Sequence, residues 1–217
     1  QATVSQSLVT DIRQYQEKSG YAVHVQDGGQ LSLERSAIHA VHGVGLMVAG
    51  EGSQLSVDRS LVSDVSSGAT SVGAGMVAAM GGALTVGRTT VRGIQVAGIF
   101  AHPGTVHVEE TIVGRALGLG DDYGDGILCQ ESTIHGTRVI AADNRRAGFF
   151  LDVLSTGTLD ASLAVDNAYG LVAAPEGGIE LAPDSAMIGN EDNYLFGGEL
   201  EIPDAPTEIP VPYEVGG

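Results

Sequence analysis

The chain carries one cysteine and no tryptophan among its 217 residues, and Lys18 is its one lysine. A lone cysteine, Cys129, excludes an intramolecular disulfide and any multi-cysteine zinc site. It falls at an inward position of the repeat described below and reads as a small buried thiol. Ten basic residues stand against 27 acidic ones, a net charge of −17. Nucleic acid binding draws on lysine and arginine to neutralise phosphate, so this balance argues against it. Anionic membrane surfaces are disfavoured on the same ground. No apolar run approaches the roughly 18 residues needed to cross a bilayer, so membrane insertion is not expected. Aromatics are scarce, with four Phe and six Tyr, whereas glycine reaches 32. That composition suits tight turns around an interior of small or branched side chains.

What is present is a repeat. With Ser or Thr as its register mark, it recurs at Ser7, Ser36, Ser60, Thr89, Thr111 and Thr137, and more weakly at Leu163 and Ser185. One apolar frame surrounds the marks, as in Leu31-x-Leu33-x-x-Ser36-x-Ile38 and Leu84-x-Val86-x-x-Thr89-x-Val91. Each unit then closes on glycine and an alternating strand, as in Gly45-Leu46-x-Val48 and Gly98-Ile99-x-Ala101. Period two within segments predicts short strands. The longer fixed period predicts stacked coils. The frame assigns Leu31, Leu55, Leu84 and Val106 to one interior column, and Leu33, Val57, Val86, Val108 and Ile134 to a second. A third holds Val9, Ile38, Val62, Val91, Val113, Val139 and Val165. The expected hydroxyls face inward and donate to one another up the stack. The fold class predicted is all-β: a single-stranded parallel β-helix, a solenoid of about eight coils over residues 1–196. On ladder spacing the rod is somewhat under about 40 Å long.

The frame L-x-V-x-x-[ST]-x-[VI], the later G-[LIMF]-x-[AV] strand, and the turns Ala142-Asp143-Asn144 and Val165-Asp166-Asn167 resemble the right-handed parallel β-helix of the pectin-lyase-like superfamily. The resemblance is to its generic β-helix repeats and covers about residues 2 to 196. It implies a right-handed coil. It implies no one activity, because that superfamily includes lyases, hydrolases, adhesins and proteins with no known reaction. Function has to come from a site on the fold.

Coil length varies, and the extra residues enter at one place, after the third inward strand residue. The insertions run from Arg13 to Ser19, Ser66 to Ala74, and Leu117 to Asp125. Loops gathered on one edge of a repeat protein often form its binding surface. Candidate contacts there are Tyr15, Glu17, Ser67, Thr70, Asp121, Asp122, Tyr123 and Asp125. The third loop clusters Asp121, Asp122 and Asp125 among glycines, and such carboxylates can supply oxygens to calcium. The spacing is not that of the twelve-residue calcium loop, and no cofactor or metal is assigned.

An enzyme reading uses the same neighbourhood. Gly120-Asp121-Asp122 and His135-Gly136 look superficially like motifs of polygalacturonase-type hydrolases, but the upstream Asn-Thr-Asp and the Arg-x-Lys are absent. Resemblance to a pectate lyase would need a basic residue beside calcium-binding aspartates. Arg145 and Arg146 follow one coil beyond the acidic loop. The catalytic set, if there is one, is therefore Asp121, Asp122, Arg145 and Arg146. Arg35, Arg59 and Arg88 form a separate column, read as charge interleaved with Glu34 and Asp58 or as an anion groove. The six histidines show no tight cluster in the sequence.

The frame is already in register at Ala2-x-Val4-x-x-Ser7-x-Val9, which predicts a further domain or partner at the first coil. After Gly197 the character changes. Pro203, Pro206, Pro210 and Pro212 alternate with Ile202, Ile209, Val211 and Tyr213, and residues 197–217 are expected to form a capping strap over the last coil. The expected function is a non-enzymatic extracellular or bacterial cell-surface domain presenting its loop edge to a polysaccharide or surface protein. The alternatives are a polysaccharide lyase or hydrolase acting on acidic polysaccharide, and a structural spacer or assembly unit.

Overall fold

A computed structural model of the chain describes residues 1–13, 20–67, 73–119, 123–152, 154–174 and 177–197. The chain opens with β1 (Ala2–Ser5), β2 (Leu8–Ile12) and β3 (Gly20–Val25), one on each of three faces. β4 (Gln30–Glu34) lies parallel on β1, and β5 (Ala37–Ala49) lies first on β2 and then on β3. The next turn adds β6 (Gln54–Asp58) on β4, β7 (Leu61–Ser66) on β5, and β8 (Ala74–Gly87) on β5 and then β6. β9 (Thr90–Ile94) follows on β7, and β10 (Ala97–Glu109) runs along the whole of β8.

The second half repeats the order. β11 (Ile112–Ala116), β12 (Asp125–Cys129) and β13 (Thr133–Thr137) stack on β9 and the two halves of β10. β14 (Ile140–Ala142), β15 (Ala147–Leu151) and β16 (Thr156–Asp160) come next, then β17 (Leu163–Val165), β18 (Tyr169–Ala173) and β19 (Gly178–Leu181). β20 (Ala186–Ile188) and β21 (Asp192–Phe196) complete the stack. Every pairing is parallel. The first ladder starts at β1, the second at β2 and the third at β3. No described residue is helical, and none lies in a helix long and apolar enough to cross a membrane.

The interior is one continuous aliphatic column set from Leu33 and Ile38 through Met76, Ile99 and Ile127 to Leu171 and Met187. Over the first coils it follows the expected register: Leu31, Leu55, Leu84 and Val106 are successive partners, as are Leu33, Val57, Val86 and Val108. Beyond Val113 the assignment needs correction, by two residues at Ile134 and Val139 and by one at Val165. Ile134 partners Val106, and Gly136 partners Val108. In the third column Val113 is followed by Ala141, Ala164 and Met187, with Val139 and Val165 elsewhere. Packing volume explains the slip. Ile134 sits over Gly157, and Leu159 fills the space above Gly136, where an added Cβ would come within 2.7 Å of its Cδ2. Large and small residues change places between neighbouring coils, so interior volume is kept while the aliphatic pattern is lost.

Two corners are left-handed. Gln6, Arg35, Arg59, Arg88, Glu110, Arg138 and Ala161 turn the chain between first and second ladders with φ from 45° to 54°. Asp11, Ala40, Asp64, Arg115, Asp143 and Asp166 repeat this farther on, at 54° to 58°. Each such residue costs about 1 kcal/mol or more and persists only where its surroundings hold it. The hydroxyl column does the holding, in a different way from that expected. Ser36, Ser60, Thr89 and Thr111 each donate to the carbonyl two residues back, at 2.8 Å. Each also accepts the N–H of its counterpart one coil earlier, at 3.1 to 3.3 Å, the donors being Ser7, Ser36, Ser60 and Thr89. In the sixth coil the counterpart is Val139, not Thr137; its N–H donates to Ser162. Farther on, Asn144, Asn167 and Asn190 form a second such chain.

The third ladder is apolar on both faces. Met47, Val77, Phe100, Leu128, Phe150 and Val172 point away from the interior and are still no more than 6% exposed. Buried parallel strands carry near-continuous apolar runs for this reason.

Candidate functional site

On the first ladder, period two puts every other side chain outside. Val106 and Val108 are buried and His107 between them is exposed. Register then stacks Ser32, Ser56, Thr85, His107, His135, Thr158 and Glu180 into one outer column. A second column beside it runs through Thr105, Thr133, Thr156 and Gly178. The imidazoles of His107 and His135 stack with centroids 4.8 Å apart and planes 19° apart. His135 Nδ1 lies 3.1 Å from the Thr158 hydroxyl, and the hydroxyls of Thr133 and Thr156 are 3.4 Å apart. Partial burial and the neighbouring His135 hold the His107 imidazole below the usual histidine range, favouring its neutral form.

These columns meet in a shallow groove of about 410 Å3 lined by Thr133, His135, Thr156, Thr158, Ile179 and Glu180. Gly178 keeps it open: a Cβ there would meet nothing nearer than Thr156 Cγ2 at 3.9 Å. The floor combines hydroxyl and imidazole hydrogen-bonding groups, one carboxylate and a flat ring surface. That set suits a neutral, hydroxyl-rich ligand lying along the ladder. None of these residues stands out in the sequence, because the histidines are 28 positions apart. The signal was their shared outward place in the frame, in Val106-His107-Val108 and Ile134-His135-Gly136.

The three insertions all fall between a second-ladder strand and a third-ladder strand, along one corner of the rod. Tyr15, Glu17, Thr70, Asp121 and Asp122 lie outside the described residues. Ser67 donates its N–H to Gln95 Oε1 at 2.6 Å and accepts from the N–H of Gly73. Asp125 needs correction as a surface contact or calcium ligand: it begins β12 and is fully buried. Arg146 donates Nε and Nη2 to its two oxygens at 2.8 and 2.5 Å, and the Ala147 N–H adds a third bond. Burial pushes the Asp125 carboxyl above the usual carboxylate range, against the pull of Arg146 and the Ala147 N–H. The Arg146 guanidinium also lies 4.6 Å from the Phe150 ring centroid and 5.6 Å from that of Tyr123. Tyr123, Asp125 and Arg146 are therefore brought together, as one packed unit. Arg145 anchors its main chain on the Ala116 carbonyl. At Gly124, with φ +98°, a Cβ would come within 2.7 Å of Arg145 Cβ, so the close approach of the two turns requires glycine.

In the arginine column, Arg88 is bidentate to Asp58 at 2.8 Å and Arg138 reaches Glu109 and Glu110 at 2.6 and 2.9 Å. This is charge interleaving between coils. Among the described residues no three of His, Cys, Asp and Glu converge as metal ligands. Burial pushes the Cys129 thiol up to about 12.

The three parallel ladders and their continuous interior define the class: an all-β parallel β-helix, the fold implied by the resemblance to the pectin-lyase-like superfamily. Among solved structures the chain is similar to pectate lyase Pel9A, with 15% identity, a TM-score of 0.48 and coverage of 87% of this chain and 47% of that one. The chain thus spans about half of that protein's length. No family model matches the sequence, and no curated protein is similar to it in sequence.

Proposed function

We propose that the chain is a non-catalytic β-helix domain that binds an extended glycan along the outer face of its first ladder, at a cell surface or in the extracellular space. The observation that carries this reading is the groove at Thr133, His135, Thr156, Thr158 and Glu180, with hydroxyls and stacked imidazoles repeating at ladder spacing. A linear polymer presents its own repeat to such a row, and each rung adds a contact without rebuilding the site. The loop edge remains a second contact region for a protein partner through Ser67 and Tyr123. Catalysis is the weaker alternative, because Arg146, one of the four residues named for it, is spent on Asp125.

A glycan array followed by titration tests the reading. Retention of a neutral glycan is expected, falling tenfold or more in His135→Ala and Thr158→Val. Retention unchanged in both variants, or no glycan retained, would overturn it. Release of unsaturated or reducing sugars from an acidic polysaccharide would replace it with the lyase or hydrolase alternative.

A further inference from the structure

The outer face of the second ladder is apolar over its last four rungs. Ile112, Ile140, Leu163 and Ala186 follow one another on the side of the first corner. Gly114, Ala142, Val165 and Ile188 do so on the side of the second. Ile112 is 47%, Ile140 37% and Ile188 54% exposed. A contiguous apolar patch of this kind marks a docking site. Its two columns are graded in opposite senses: the first shrinks from isoleucine to alanine, and the second grows from glycine to isoleucine.

The borders of the face are charged, and their charges match. Left-handed residues five positions apart flank the second-ladder strands, one at each corner. Three strands carry a charge at both: Arg59 with Asp64, Glu110 with Arg115, and Arg138 with Asp143. In each the signs are opposite. Around β11, where the first border turns acidic, the second turns basic. Among the described residues no second-ladder strand carries like charges at its two corners.

We infer that this face binds the same face of a second copy of the chain, with the two rods parallel and related by a two-fold axis running along them. That operation sets the first corner of each copy against the second corner of the other, rung by rung. Each Arg138 then meets an Asp143, each Arg59 an Asp64 and each Glu110 an Arg115. Arg138 and Glu110 are still 49% and 45% exposed while paired with each other, so each has room for a partner across the seam. The apolar columns also fit. Ile112 lies opposite Gly114, Ile140 opposite Ala142, Leu163 opposite Val165 and Ala186 opposite Ile188, large against small at either end. Antiparallel rods would set each corner against its own counterpart, arginine row to arginine row and aspartate row to aspartate row, which repels. Eight rungs about 4.8 Å apart, each about 16 Å wide, give on the order of 550 Å2 per copy. That is near the lower bound for a specific interface, so the dimer is a weak one. The groove of the first ladder lies on another face and stays open.

Sedimentation velocity of the full chain across the micromolar range tests this. The expected result is a reversible monomer–dimer equilibrium that Ile140→Asp weakens tenfold or more, with the thermal midpoint of the dilute monomer unchanged. Arg138→Asp and Asp143→Arg should each weaken self-association. An equimolar mixture of those two variants should restore it, because each then offers the charge the other lacks. A chain that stays monomeric throughout overturns the proposal, as does a dimer indifferent to Ile140→Asp or single variants that mixing does not rescue. Methyls of Ile112 and Ile140 shielded from a soluble paramagnetic probe in the dilute monomer would assign the face to the chain itself and overturn it too.

Discussion

Asp125 and Arg146 stand 21 positions apart and close a bidentate pair across adjacent rungs of the third ladder, with the carboxylate fully buried and the guanidinium 11% exposed. Phe150 and Tyr123 pack against the cation. The pair pins the return of the third loop to the coil beneath it.

Arg146→Met leaves the Asp125 carboxylate buried without its partner. The expected loss is about 3–5 kcal/mol, the range for breaking a buried ion pair from one side. Pairing it with Asp125→Asn should recover much of that loss. Urea unfolding of the two single variants and the double variant checks it; equal midpoints for Arg146→Met and the parent would refute a buried, occupied pair.

Asn167 accepts the N–H of Asn144 at 3.0 Å and donates to the Ala141 carbonyl at 3.1 Å. Asn167→Ala orphans both groups inside the corner. Each unsatisfied group costs roughly 1–3 kcal/mol, and for a chain of this size 1 kcal/mol moves Tm by roughly 2–4 °C. A thermal midpoint lowered by at least about 4 °C is expected, against little change for the exposed Asp166→Asn.

Gly157 lies under Ile134, with Ile134 Cγ2 where a Cβ would go. Gly157→Ala should therefore destabilise by roughly 1–3 kcal/mol from overpacking. Ile134→Ala in the same chain makes room, and the two effects should couple by about 0.5–3 kcal/mol. Strict additivity in a double-mutant cycle would contradict the contact.

His107 gives a pH dependence with a definite sign. Its folded-state pKa is lowered from 6.5, first by burial and then by His135. The unfolded chain therefore binds the proton more readily, so its contribution to stability is complete above about pH 6.5 and declines as pH falls below it. His107→Asn should flatten the stability profile below about pH 6.5, as read by denaturant midpoints at successive pH values.

The repeat was legible wherever large aliphatics marked it. From Val4 to Val108 the columns expected from Leu31, Val57 and Val86 are those observed. Beyond Val113 the register was lost because Gly136, Ala141, Gly157 and Ala164 take interior places that the frame reserves for larger residues. Thr137 and Val139 imitate the frame, yet Val139 occupies the corner. The outer apolar face of the third ladder was written in unbroken runs such as Val44-Gly45-Leu46-Met47-Val48-Ala49, which alternation alone reads as one-sided. The groove was invisible because its members come from separate coils. Asp125 looked like a loop carboxylate because only the fold brings Arg146 to it.

The hydroxyl chain runs unbroken from Ser7 to Thr111. Each unit in that stretch offers its neighbours the same acceptor and the same donor, so the joints between those turns are interchangeable. Excising one whole turn, cut at equivalent corners, leaves matched sockets on both sides of the splice. The rod can thus be shortened or extended in whole units of that stretch without a new lock at the seam.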